Sequence, residues 1–231
     1  MNNKICIFIL SAFLLSFSAT VSAKKLNLEA PKKTYSLGGQ ITLSDSINGG
    51  EPYISASATW KPDSKNYWFV RGTARYNFDS DDEGFRYSWG VGYDDWHTGT
   101  WSFQLNNYEP IKPGEGLSID TAIASIGYKF DSQFLKDRNL RSSLTLSQEI
   151  QGDPRLSALL QWSPKKNWFI RGILIAPLTG DDDVSYNYVF GYSDWRPGTF
   201  GFEYNNYESN PLGESNFSDG NFALTYKWKF K

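Results

Sequence analysis

Charged side chains recur at alternate positions of several aromatic-rich segments, and these residues are the best candidates for acting on a solute. The basic ones are Arg71, Arg75, Arg86, Lys129, Arg141, Arg171, Lys227 and Lys229, and the acidic ones are Asp94, Glu149 and Glu203. The set carries a net charge of +5 in a chain whose overall charge is −2. Arginine presents a planar fork of donors that suits carboxylate and phosphate, and rings of basic side chains favour anions. The chemistry indicated is contact with small anionic or sugar-like solutes.

Catalysis and metal binding have few candidate residues. His97 is the single histidine and Cys6 the single cysteine. A catalytic base needs a nucleophile and an orienting group, and zinc needs several nitrogen or sulfur ligands, so we expect no enzyme, no metal site and no cofactor. The acidic runs 79–83 and 180–183 lack the spacing of a calcium loop and are interpreted as solvated loops. The weak net charge also gives no reason to expect nucleic acid as a partner.

The first 23 residues form a segment of their own. Lys4 precedes an apolar run from Ile5 to Phe17, and Val21-Ser22-Ala23 follows. This order predicts a secretory signal peptide cleaved after Ala23, because the run is too short for a stable spanning helix. We therefore expect an exported protein with a single domain over residues 24–231.

The two halves of the remaining chain repeat each other. Residues 92–109, GYDDWHTGTWSFQLNNYE, return as GYSDWRPGTFGFEYNNYE at 191–208. Residues 60–72 return, two residues shorter, at 162–172. A nearly constant offset over several blocks indicates a duplicated unit, with halves near 34–130 and 140–230.

Each half predicts six β-strands and no helix. The composition is 17% aromatic and 40% hydrophobic, which excludes a disordered chain and favours β structure. No window shows a sustained period of 3.6 residues. The predicted strands are 34–44, 53–60, 67–78, 85–94, 100–108 and 121–130, then 140–149, 155–162, 168–177, 184–193, 199–207 and 221–230.

One predicted strand departs from the alternation of apolar and polar sides. In 168–177 the side that carries Arg171 also carries Phe169, Ile173 and Ile175. Its expected polar side is therefore largely apolar.

Two architectures could use the alternation in the other strands. A soluble β protein turns its apolar side inward, whereas a transmembrane barrel turns it to lipid. Apolar sides 9–11 residues long, Tyr and Trp near strand ends and an even strand number favour the barrel. The negative mean hydropathy of −0.48 then reflects the polar inner side of each strand. We predict an all-β fold, a transmembrane antiparallel barrel of about twelve strands in two six-stranded repeats.

The end of the chain adds a resemblance. Tyr226-Lys-Trp-Lys-Phe230 resembles the C-terminal signature of bacterial outer-membrane β-barrel proteins, with Lys231 as one extra residue. Twelve strands in about 210 residues is similar to the small oligosaccharide-specific channels of that membrane, although no motif identifies a specific family. The resemblance implies an outer-membrane location, contact with its lipids and lipopolysaccharide, and insertion by the outer-membrane assembly machinery. It places both termini and short turns such as 61–66, which carries Lys61, at the periplasmic side.

A repeated motif marks two of these turns. Its residues are Asp95, Trp96 and Gly99 in the first half and Asp194, Trp195 and Gly198 in the second. A sugar-binding platform, with the indole stacking on a ring, is one interpretation. We favour a tight turn in which Asp bonds backbone N–H groups, Gly takes positive φ and Trp anchors at the membrane interface.

Three functions remain open. The first is a narrow channel for passive passage of small anionic or sugar-like solutes. The second is a closed barrel with a structural, adhesive or surface-polysaccharide role, because buried charges can pair with one another and fill a lumen. The third is a soluble periplasmic β protein that binds carbohydrate.

Overall fold

The structure is a computed structural model that describes residues 35–48, 52–63, 67–78, 84–112, 119, 121–150, 152–179, 183–211 and 217–230, with backbone alone at 108–110 and 207–211. The predicted signal peptide and most of the acidic loop residues lie outside these ranges. The described strands are β1 Ser36–Ser46, β2 Tyr53–Lys61, β3 Trp68–Asn77, β4 Phe85–Asp94, β5 Trp101–Ile111, β6 Ala122–Lys129, β7 Leu140–Glu149, β8 Pro154–Trp162, β9 Trp168–Pro177, β10 Ser185–Ser193, β11 Phe200–Pro211 and β12 Asn221–Phe230.

The strands close into one barrel. Each strand pairs antiparallel with its neighbours in sequence, and β1 pairs with β12 from Leu37 opposite Phe230 to Ser46 opposite Asn221. Closure satisfies the backbone groups that an open sheet would leave unpaired at its edges, which is a requirement for β structure in lipid. The predicted twelve-stranded antiparallel barrel is confirmed.

The barrel has two distinct ends. We call the end where β1 begins and β12 ends the turn end, and its connections are 62–67, 95–100, 130–139, 163–167 and 194–199. The opposite end, the loop end, carries 47–52, 78–84, 112–121, 150–153, 178–184 and 212–220.

The apolar side of the strands faces outward. Val70 and Ile170, at equivalent positions of β3 and β9, are 44% and 49% exposed, whereas the neighbouring Phe69 and Phe169 are buried. A soluble protein rarely exposes such a continuous apolar surface, because the hydrophobic effect disfavours its contact with water. The exposed belt therefore fits contact with lipid and opposes the soluble alternative.

Aromatic side chains ring the outside of the turn end. Exposed tryptophans pack edge-on against tyrosines of the next strand, with centroids 5.6 Å apart for Trp68 and Tyr93 and 5.7 Å apart for Trp168 and Tyr192. Such amphipathic rings suit the boundary between lipid and water.

Two short helices interrupt the strands. Helix α1 spans Gln133–Asp137 between β6 and β7, and a single 3₁₀ turn spans Phe217–Asp219. The prediction of no helix was therefore wrong at these places, because one turn is too short to show a 3.6-residue period. The Phe217 ring stacks 4.3 Å from the Tyr204 ring and buries it on the outer surface. Among the described residues, no helix is both long and apolar enough to cross a membrane.

Candidate lumen site

The strand alternation places the predicted charged set on the inner side of the barrel. Each member lies between outward residues of its own strand, on the side opposite to the exposed apolar side chains. The strands contribute Arg71 and Arg75 (β3), Arg86 and Asp94 (β4), Lys129 (β6), Arg141 and Glu149 (β7), Arg171 (β9), Glu203 (β11), and Lys227 and Lys229 (β12).

Arg71 and Arg171 lie on opposite walls of the lumen. They occupy equivalent positions of β3 and β9, which are six strands apart in a closed ring of twelve. Each guanidinium lies over the ring two residues earlier, with Cζ 5.1 Å from the Phe69 centroid and 5.2 Å from the Phe169 centroid. The buried rings support the cations through cation–π contact and limit their movement.

The hydrogen-bond partners of these two arginines are neutral. Arg71 Nε donates to Thr59 Oγ1 at 3.3 Å. Arg171 donates through Nε and Nη2 to Gln161 Oε1, both at 3.1 Å. Within the described part of the chain, no ion pair involves either guanidinium. Their positive charge is therefore uncompensated by a contacting carboxylate.

A second group of arginines lies nearer the loop end. Arg75 of β3 stands directly opposite Arg86 of β4 in the strand register. Arg75 Cζ lies 3.7 Å above the Tyr53 ring, and its Nε donates to Asn77 Oδ1 at 2.8 Å. Like charges at directly opposed positions repel each other, and Arg86 Nη1 donates to the Phe85 carbonyl at 3.0 Å.

The turn between β4 and β5 is tightly hydrogen-bonded. Asp95 Oδ1 accepts a hydrogen bond from the His97 backbone N–H at 3.1 Å and contacts His97 Nδ1. This side-chain contact holds the pKa of Asp95 below its usual value. Thr100 Oγ1 donates to the Asp95 carbonyl at 2.8 Å, and Gly99 has a φ of +81° that other residues rarely adopt. The His97 ring is therefore bonded to the carboxylate of its own turn.

The turn between β10 and β11 repeats this geometry. Asp194 Oδ1 accepts hydrogen bonds from the backbone N–H and Nε of Arg196, both at 3.0 Å. These bonds lower the pKa of Asp194 to about 2. Thr199 Oγ1 donates to the Asp194 carbonyl at 2.9 Å, and Gly198 has a φ of +81°. Both turns thus show the chemistry expected of Asp, Thr and Gly in a tight connection.

The tryptophans of the two turns point into the barrel mouth. Trp96 and Trp195 line one cavity of about 550 Å³ together with Lys129, Arg141 and Arg171. This position at a cavity differs from the expected anchoring at the membrane interface, and both indoles stay largely exposed, at 58% for Trp96 and 70% for Trp195. Their ring faces attract cations, and Lys227 Nζ lies 4.4 Å from the Trp195 centroid.

Sequence reasoning missed several inner residues. Lys61, expected in a turn, is the last residue of β2, and its Nζ lies 5.7 Å from the Trp96 centroid. Gln161 and Leu159 of β8 line the cavity that holds both tryptophans. The sequence pattern could have placed Lys61 inward, because it follows Ser57 and Thr59 at the next alternate position of β2.

Two carboxylates of the inner side lie beside basic side chains. Asp94 accepts a hydrogen bond from Lys129, and Glu149 Oε1 lies 3.9 Å from Arg155 Nη2 near the loop end. Within the described residues, no cluster of three or more His, Cys, Asp or Glu could hold a metal ion. The acidic run 79–83 lies outside the described residues, as does 180–183 apart from Asp183.

Comparison with known proteins adds the fold class. No family model and no curated protein matches this chain. A solved structure described as "KdgM porin" aligns with a TM-score of 0.51 at 10% sequence identity, over 85% of this chain and 99% of that chain. This chain has the fold of an outer-membrane porin barrel. The predicted resemblance to outer-membrane β-barrel proteins is thereby confirmed, and at such low identity it extends to the fold alone.

Proposed function

We propose that this protein is an outer-membrane channel for passive passage of small anionic solutes, sugar-like ones included. The observation that carries the proposal is the opposed pair Arg71 and Arg171, whose hydrogen-bond and ring partners among the described residues are neutral. Cations fixed on two walls lower the free energy of an anion in the lumen and raise that of a cation. Nothing in this role requires catalysis.

The porin-like fold supports a location in the outer membrane, with the turn end toward the periplasm. Lipid and lipopolysaccharide would contact the exposed apolar belt, and the outer-membrane assembly machinery would insert the chain. The aromatic ring at the turn end suits a membrane boundary, which fits a barrel that spans the bilayer.

A closed barrel with a structural, adhesive or surface-polysaccharide role is the second candidate. The observation that favours it is the position of Trp96 and Trp195, which both line the cavity at the mouth of the turn end. Side chains that fill a mouth can reduce or prevent conduction.

Conductance of the purified, refolded protein in planar bilayers separates the two. We expect discrete channels whose reversal potential in a KCl gradient shows a preference for chloride. Arg71→Glu should reduce that preference. The matched control is Arg138→Glu at α1, where the side chain is exposed and lies 4.0 Å over Phe134 outside the lumen. This control should leave the reversal potential close to that of the wild type.

Absence of conductance in a correctly folded barrel would favour the closed barrel. A reversal potential unaffected by Arg71→Glu would contradict the basic lumen. Folding of each variant is checked by its heat-dependent migration on a denaturing gel.

A further inference from the structure

The two opposed walls of the lumen differ in character. Both strands begin their inward side with a phenylalanine and an arginine. After these two residues, β3 presents Thr73 and Arg75 inward, whereas β9 presents Ile173 and Ile175 at the equivalent positions. One wall is therefore polar and basic, and the wall that faces it is aliphatic.

The aliphatic wall continues onto the next strand. Leu159 of β8 stands opposite Ile173 in the strand register and lines the cavity that holds Trp96 and Trp195. We call Leu159, Ile173 and Ile175 the apolar strip. Inward apolar side chains in a wet lumen carry a free-energy cost that grows with their exposed area, and an apolar solute that covers them removes that cost.

The basic wall opposite supplies the complementary contact. Arg71 has neutral partners, and Arg75 lies between the Tyr53 ring and Asn77. A carboxylate can accept two parallel hydrogen bonds from a guanidinium. Twelve strands give a lumen between that of filled eight-stranded barrels and that of wide porins, so one small solute can contact both walls.

We infer that the lumen binds amphipathic carboxylates, in which an apolar ring or short chain carries one acidic group. The carboxylate is held by the arginines of β3 and the apolar part lies on the strip of β8 and β9. This inference rests on the proposed function and names its substrate class. A polyhydroxylated acid of the same charge should bind more weakly than an amphipathic one, because its hydroxyls would lose water against the strip without gaining hydrogen bonds.

Binding is measured by calorimetry on the refolded protein in phospholipid vesicles, with protein-free vesicles subtracted. The probes are phenylacetate and glucuronate, which carry equal charge. We expect phenylacetate to bind about tenfold more tightly or better, the range that small apolar groups give in apolar sites. The double variant Ile173→Thr/Ile175→Arg gives β9 the residues of β3 and should abolish the preference.

The reciprocal variant Thr73→Ile/Arg75→Ile should weaken the binding of both acids. If the Ile173→Thr/Ile175→Arg barrel fails to fold, the single variant Leu159→Gln removes part of the apolar strip in its place. Equal affinity for the two probes, or a preference that survives loss of the strip, would overturn the inference.

Conductance distinguishes the two proposals. A barrel that conducts chloride but binds both probes alike contradicts the amphipathic substrate alone. A barrel that prefers phenylacetate but carries no current contradicts the channel and leaves the binding site standing.

Discussion

Lys129 donates a hydrogen bond to the carboxylate of Asp94, whereas Lys227, at the equivalent position of the second half, donates to the hydroxyl of Ser193. Both lysines also donate to a backbone carbonyl of the adjoining turn. The two ammonium groups are therefore held in similar ways, but only the first contacts a carboxylate. Among the described contacts, the ammonium of Lys227 is therefore less compensated by a carboxylate than that of Lys129.

Exchange of these partners should change ion selectivity. Ser193→Asp places a carboxylate beside Lys227 and should shift the reversal potential in a KCl gradient toward lower chloride preference, because it compensates a lumen charge. Asp94→Ser should shift it the other way. Ser193→Asn is the matched neutral control. If Ser193→Asp and Ser193→Asn give the same reversal potential, the charge of this position has no part in selectivity.

The turn carboxylate Asp194 should make stability depend on pH. Its pKa is lowered from 3.8 to about 2 by hydrogen bonds from Arg196. Since the folded pKa lies below the unfolded one, the stabilisation is complete above about pH 4 and is lost as the pH falls toward 2. We expect Asp194→Asn to lower the urea midpoint of unfolding at neutral pH. The difference in midpoint between variant and wild type should disappear as the pH falls toward 2.

The Arg196→Gln background tests the cause of that pH dependence. It removes the guanidinium that bonds Asp194 but keeps the backbone N–H donor. The effect of Asp194→Asn should be smaller there and vary less with pH. If the effect of Asp194→Asn on stability depends on pH equally in both backgrounds, the Arg196 guanidinium is not the cause of that dependence.

Regular strands were predictable because period-two alternation identifies them wherever one side is apolar. The ends of β5 and β11, predicted at 108 and 207, lie at 111 and 211. Both extensions follow a register irregularity, between Tyr87 and Trp89 on β4 and between Tyr186 and Tyr188 on β10. A bulge adds residues without continuing the alternation, so a sequence pattern does not reveal it.

The inner charges could be assigned from the sequence, whereas the tryptophans could not. Arg71 and Arg171 lie inside strands, where alternation fixes their side. Trp96 and Trp195 lie beyond the strand ends, where the direction of a side chain depends on how the turn folds. The predicted bonds from backbone N–H groups to Asp95 and Asp194 are present, but residue types alone do not reveal where the indoles of such turns lie.

Glycine at the two turns should be required for stability. At Gly198 an added Cβ would meet nothing within 4 Å, so Gly198→Ala isolates the cost of the φ of +81°, about 1–2 kcal/mol. Gly99→Ala should cost more, because its Cβ would lie 3.3 Å from Asp131 Cβ. The free energy of unfolding in urea measures both.

Gly172→Ala is the control for that pair. Gly172 faces outward on β9, its added Cβ would also meet nothing within 4 Å, and its φ is not positive. The free energy of unfolding of Gly172→Ala should therefore equal that of the wild type. A Gly198→Ala protein as stable as the wild type would show that the turn can adopt another backbone conformation.

Trp195 should limit conductance more than Trp96. With Arg171 it borders three cavities of about 550, 420 and 170 Å³ at the turn end. Trp96 borders the first of these. Trp195→Ala should therefore join the cavities and raise single-channel conductance, and Trp96→Ala should raise it less. Trp101→Ala removes an exposed indole on the outer side of β5 that borders none of these three cavities, and it should leave conductance unchanged. A side chain that narrows the ion path adds resistance in proportion to the cross-section that it blocks. Equal conductance in Trp195→Ala and the wild type would therefore show that the current bypasses this indole.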